Sequence, residues 1–342
     1  TGANASSLVI ARGGKLMAEG TASAPIIMTS ESDDIAVGQT SGSSLTENVR
    51  GLWGGLLVMG NAPCSFSGDV AELQIEGIPA SETAGLYGGS DPADNSGVIQ
   101  YVSIRHGGAE IGEGNEINGL TLGGVGTGTT IDHIEVVGNV DDGIEFFGGT
   151  VNASELLVWG QGDDGLDIDQ AYSGTISNSM VILNSASDHA LEIDGPEGSA
   201  AGSFTLNNIT LVGTNDECDP TGVDGEISDY RKGATGANNN IYVMNFTDGK
   251  DIELDKDADA NSYTAGTLTF SGYEFTPATD GGSDCFTPNL TDGSIFNDKS
   301  SVGSTFEADG ATICTVVATG SNSVGANPSD FSWTYASSKG AF

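Results

Sequence analysis

The chain has 342 residues, enough for one long domain or two ordinary ones. Ten lysines and arginines against 48 aspartates and glutamates leave a net charge of −38, which disfavours nucleic acid and anionic membrane partners and attracts divalent cations. No apolar run reaches the ~18 residues of a membrane span, and 37% hydrophobic residues with 52 glycines point to short strands and tight turns, not to a disordered chain.

In chain order, SLVIA, GKLMAEG and APIIMTS (7–30) predict three strands of one early coil. A loop follows over 31–50, then the apolar segment GLWGGLLVMG (51–60), then an irregular excursion over 61–97. From about 98 to 260 the chain repeats itself. NGLTLG (118–123), DGIEFF (142–147), DGLDID (164–169), HALEID (189–194) and KDIELD (250–255) align, with steps of 24, 22, 25 and 61 residues. Leu120, Ile144, Leu166, Leu191 and Ile252 make one column, and Leu122, Phe146, Ile168, Ile193 and Leu254 make the next. A second set precedes these strands, with apolar pairs Val102/Ile104, Ile134/Val136, Leu156/Val158, Met180/Ile182, Ile209/Leu211 and Ile241/Val243.

Alternation with period 2 means strands with one face buried. Two such strands per 22–25 residues predict an all-β fold, a parallel β-solenoid in one domain over 1–342. A leucine-rich repeat would need its asparagine signature and a helix, and a propeller blade is about twice as long. Loop insertions are expected at 31–50, 61–97 and 213–235, and looser strands over 261–342. The aromatic tail SDFSWTYASSKGAF (329–342) reads as a strand that could add to a neighbouring copy, giving an end-to-end homo-oligomer.

The segments GLWGGLLVMGNAP (51–63), YGGSDPADNSG (87–97), YVSIRHGG (101–108), GNEINGLTLGGVGTGTTIDHIEVV (114–137) and DDGIEFFGG (141–149) resemble a group of large secreted or surface-attached bacterial β-helix proteins, notably of marine and Bacteroidetes-type organisms. The resemblance implies a right-handed parallel β-helix and an extracellular or cell-surface location. It implies no activity and no catalytic residue. The start at Thr1, without methionine or leader, fits a processed product. Cys64, Cys218, Cys285 and Cys314 form no CxxC pair; two disulfides of an exported protein is one reading and buried thiols the other, with the pairing open.

The chemistry rests on acids. If Leu166 and Ile168 point inward, Asp167 and Asp169 point outward, and stacking puts Glu145, Asp167 and Glu192 on one ladder. Asp169, Asp194 and Asp255 lie on a neighbouring one. Carboxylates about 5 Å apart repel unless a cation intervenes, and oxygen ligands favour calcium. The calcium candidates are Asp141, Asp142, Asp163, Asp164, Asp167, Asp169, Glu192 and Asp194, with Asp91, Asp94 and Asn95 in the SDPADN loop. The competing reading is a solvated acidic face. DDGLDID and DHALEID also resemble the acidic coil of β-helix polygalacturonases, which would make Asp163, Asp164, Asp188 and His189 catalytic. The family's GHG and RIK motifs are absent. Pectate-lyase-type chemistry needs a cationic base, yet Arg105, Arg231, Lys232 and Lys250 fall in no site motif. His106, His133 and His189 read as turn or surface residues. The preferred function is a structural or adhesive surface protein, calcium-stabilised; a secreted polysaccharide lyase or glycoside hydrolase is the alternative, with polysaccharide or a cell surface as partner.

Overall fold

The computed structural model describes residues 6–109, 117–214, 218 and 226–342. Its chain winds as a right-handed parallel β-helix built on two long parallel sheets. The first sheet stacks Leu8–Ile10, Leu56–Met59, Leu120–Gly123, Ile144–Phe147, Leu166–Asp169, His189–Asp194, Glu226–Arg231, Ile252–Leu254 and Phe296–Asp298. The second begins with Leu16–Glu19 and Ile26–Met28, both on Gly97–Arg105, and continues through Thr130–Val137, Ala153–Trp159, Thr175–Ile182, Phe204–Val212 and Gly236–Phe246.

The register is the one the repeat demands. Leu120 pairs with Ile144, Ile144 with Leu166 and Leu166 with Leu191. These side chains, and the column from Leu122 to Ile193, are buried in one continuous core. The long step between HALEID and KDIELD hides one more rung. Leu191 pairs with Ser228, which pairs with Ile252, so Glu226–Arg231 is a full strand inside the span read as an insertion at 213–235. A serine and a tyrosine stand at its inward places, which removed the aliphatic signal. Glycine in the repeated Asp-Gly step is a packing requirement: a Cβ on Gly143 would lie 2.2 Å from Val158 Cγ1.

Each long strand of the second sheet bends at a residue with φ between 47° and 58°: Tyr101, His133, Glu155, Asn178, Asn208 and Asn240; Gly236–Phe246 bends again at Asn245, φ 63°. Asparagine and histidine tolerate this left-handed conformation better than most residues. The bend gives the coil a third side. One expected column is off by a residue. Val181, not Met180 or Ile182, pairs with Val158 and enters the core. Ser179 takes the inward place beside Leu156, and its hydroxyl accepts from Leu156 N at 3.1 Å and donates to Ser177 O at 2.9 Å. Since strand side chains alternate, that one-residue slip turns Met180 and Ile182 outward.

Outward Leu157, Met180, Ile182 and Val212 are covered by the returning tail. The tail is not a donated strand. It forms a 3₁₀ turn, Pro328–Phe331, and a helix, Tyr335–Lys339, with Phe331 and Ala336 fully buried against its own sheet. The segment 261–342 also carries the helix Phe306–Ile313, and Asp257–Thr264 precedes it. Phe306 packs edge-on to Phe296 and closes the apolar core at that end. Among the described residues no helix is long and apolar enough to cross a membrane. Cys218 and Cys285 form a disulfide, while Cys64 and Cys314 are free thiols, so one of the two expected bridges is present. Burial pushes both thiols up to about 12.

Candidate functional site

The outward side chains of the first sheet form three rows. Two residues before the first inward column stand Asn118, Asp142, Asp164, His189, Glu226 and Lys250. Between the inward columns stand Thr121, Glu145, Asp167, Glu192, Asp229 and Glu253. After the second column come Phe147, Asp169, Asp194 and Arg231. An arginine therefore interrupts the row that was expected to run from Asp194 to Asp255.

The middle row is not a solvated face. Glu145 is 5% exposed, Asp167 9% and neighbouring Asp142 6%. Phe66, Ile75 and Tyr87 of the excursion 61–97 pack with Leu57, Met59, Ile117 and Phe147 on the same side of the sheet. The excursion is thus an arm lying over the start of the acidic rows. Burial, then mutual repulsion, holds the carboxyls of Asp142, Glu145 and Asp167 well above the ordinary range. Burial lifts Asp169 to about 7 against the pull of Lys232, and Asp229 to about 7 with help from Glu253. Glu192 rises to about 8 through burial and Asp164, and exposed Asp163 to about 6 through partial burial and Asp164.

The ligand oxygens and nitrogens of four groups come within 4.8 Å of one another: Asp142/Glu145/Asp167, Asp141/Asp142/Asp163, Asp163/Asp164/Asp188 and Asp164/His189/Glu192. Asp164 Oδ1 accepts from His189 N at 2.9 Å and lies 2.8 Å from His189 Nδ1. Burial disfavours the imidazolium, but the Asp164 hydrogen bond and charge outweigh it and raise His189 to about 9. His189 therefore keeps its proton at neutral pH and is no general base there.

The cations gather at the far end of the rows. Arg231 Nε donates to Asp194 Oδ1 at 2.7 Å, and the same guanidinium binds Glu192. Lys232 lies 2.5 Å from Asp194, Lys250 3.3 Å from Glu226, and Lys299 pairs with Glu253. Among the described residues the Asp142/Glu145/Asp167 group makes no ion pair with a cation.

The SDPADN residues are hydrogen-bonded within their own loop. Asp91 Oδ1 accepts from Ala93 N and Asn95 Oδ1 from Gly97 N, each at 3.0 Å, and buried Asp94 accepts from Ser96 Oγ at 3.0 Å. These bonds shape the turn. His106 is buried, not on the surface, with Nδ1 2.8 Å from Val49 O. His133 is half-buried and stacks on Tyr101 at 4.1 Å, beside Asp132 and Glu155. Sequence reading passed over that trio, and over Asn118, although NGL aligns with the Asp-Gly repeat.

The rows bring oxygen ligands within reach of one another, and the corner of exposed Asp163, half-buried Asp188 and buried Asp164 sets carboxylates close enough for acid–base work. Among the described residues the lysines and arginine of these rows are all held in ion pairs. A family model described as a pectate-lyase-like β-helix domain matches residues 1–319. No curated protein and no solved structure matches the chain.

Proposed function

Because the chain belongs to the pectate-lyase-like β-helix domain family, we propose that it is a bacterial extracellular or cell-surface β-solenoid with a structural or adhesive role. The observation that carries this reading is the state of the bases. Proton abstraction beside a sugar carboxylate needs a side chain able to accept a proton, which an ion-paired cation or a protonated imidazole is not. Arg231, Lys232, Lys250 and Lys299 are all ion-paired, and His189 is lifted to about 9, while Arg50, beside Gly162 and in no ion pair among the described residues, is left to the alternative reading. The Cys218–Cys285 disulfide supports an oxidising compartment.

The test is incubation with acidic and neutral polysaccharides, read as new reducing ends and as unsaturated-uronate absorbance. The expected result is no turnover. Turnover abolished by Asp163→Asn would replace this reading with the hydrolase or lyase one, which the Asp163/Asp164/Asp188 corner favours; Asp163, raised to about 6, would suit a general acid.

A further inference from the structure

We propose that Asp142, Glu145 and Asp167, with the amide oxygen of Asn118, form a site for one calcium ion beneath the arm 61–97. This does not depend on whether the protein is structural or enzymatic. Of the four carboxylate groups on the first sheet, three have other occupations. Asp164 is hydrogen-bonded to His189, Glu192 and Asp194 are bonded to Arg231, and the Asp163/Asp188 corner is open to water. The Asp142/Glu145/Asp167 group has three carboxylates within 4.8 Å, each less than one-tenth exposed, and no cationic partner among the described residues.

Two oxygens there lack a hydrogen-bond partner among the described residues: Asp167 Oδ1 and Asn118 Oδ1. Asn118 is 1% exposed, and its Nδ2 donates to Glu145 Oε2, which holds that side chain against the carboxylate. Buried polar atoms are almost always partnered, and orphaned carboxylate oxygens are costly. A cation satisfies both at once. The donors are all hard oxygens with no nitrogen or sulfur, which suits calcium over zinc. The acids at these positions come from two successive coils and Asn118 from the coil before. Glu76 of the arm acts electrostatically on Glu145, so a bound ion would also tie the arm to three coils.

Calcium titration of the full chain by calorimetry, after chelation, tests the site. One ion per chain is expected, with a raised melting temperature. Asp167→Asn and Glu145→Gln, near-isosteric changes, should each abolish binding, Asn118→Ala should weaken it about 10- to 100-fold, and Asp163→Asn should leave it intact. No binding at millimolar calcium, or binding that survives both carboxylate variants, overturns the proposal. Should those variants not fold, a manganese-soaked crystal of the unaltered protein decides. An anomalous peak within about 2.6 Å of Asp142, Glu145 and Asp167 supports the site; a peak only at the Asp163/Asp188 corner overturns it.

Discussion

On the second sheet the outward side chains Leu157, Met180, Ile182 and Val212 meet Phe331 and Ala336 of the tail, and the contact is apolar. On the first sheet the outward rows begin apolar, at Leu57 and Met59, and turn acidic from Glu145 onward while still under cover. Both faces come from one repeated coil. The inward columns are nearly interchangeable, and the outward rows decide what each cover encloses. A charged pair does enter the tail-covered face, and it brings both signs, although Arg105 Nη1 has no hydrogen-bond partner among the described residues. Arg105 lies 3.5 Å from Glu135, Ser103 bridges them, Ala336 N donates to Glu135 Oε1 at 2.9 Å, and the Tyr335 ring lies 4.7 Å from the guanidinium. The arm-covered face has charge of one sign in its buried group.

The largest effect should come from breaking the balanced side. Glu135→Leu leaves Arg105 buried alone and removes the acceptor for Ala336 N. Denaturant unfolding should show a loss of about 3–5 kcal/mol. The double change Arg105→Leu, Glu135→Leu should recover most of it. A double variant as unstable as the single would mean that the pair does not balance itself.

The acidic side should show itself in pH. Asp229 is raised to about 7 and Glu192 to about 8, so the folded chain holds protons that the unfolded chain has released. That contribution is complete below the ordinary carboxylate range and is lost as pH rises through 7 to 8. In chelator, the melting temperature should fall by several degrees between pH 5 and pH 8.5. A melting temperature that rises over this range would show that the rows are not desolvated.

Smaller effects separate the cover from the rows. Tyr87 Oη donates to Gln170 Oε1 at 2.8 Å, joining the arm to the turn after Asp169. Tyr87→Phe should cost about 1 kcal/mol in unfolding. The exposed pair of Arg12 with Glu72 is also on the arm, and Arg12→Ala should cost less than about 1 kcal/mol, shrinking further in high salt. An Arg12 effect larger than that of Tyr87 would place the arm's anchorage at its rim.

Periodicity made the inward columns legible. Leu120, Ile144, Leu166 and Leu191 recur with alternating neighbours, and parallel stacking at about 4.8 Å lets only like side chains pile up. The signal failed where an inward place is polar. Ser179 and Ser228 stand in core columns, so the Met180 register slipped by one residue and the strand Glu226–Arg231 passed for a loop. The acidic rows could likewise be read from the sequence as outward, because alternation fixes direction.

Alternation does not say what lies on top. Whether Asp167 meets water, an arginine or an arm depends on contacts between residues some 80 to 100 positions apart, and local pattern carries no information about them. The sequence by itself determined the solenoid, its rungs and the side each carboxylate faces, since these follow from strand period and repeat spacing. Only the tertiary structure decided that the acids are buried, that the cations collect at one end, and that the aromatic tail folds back on its own sheet, since burial is set by whichever distant segments pack there.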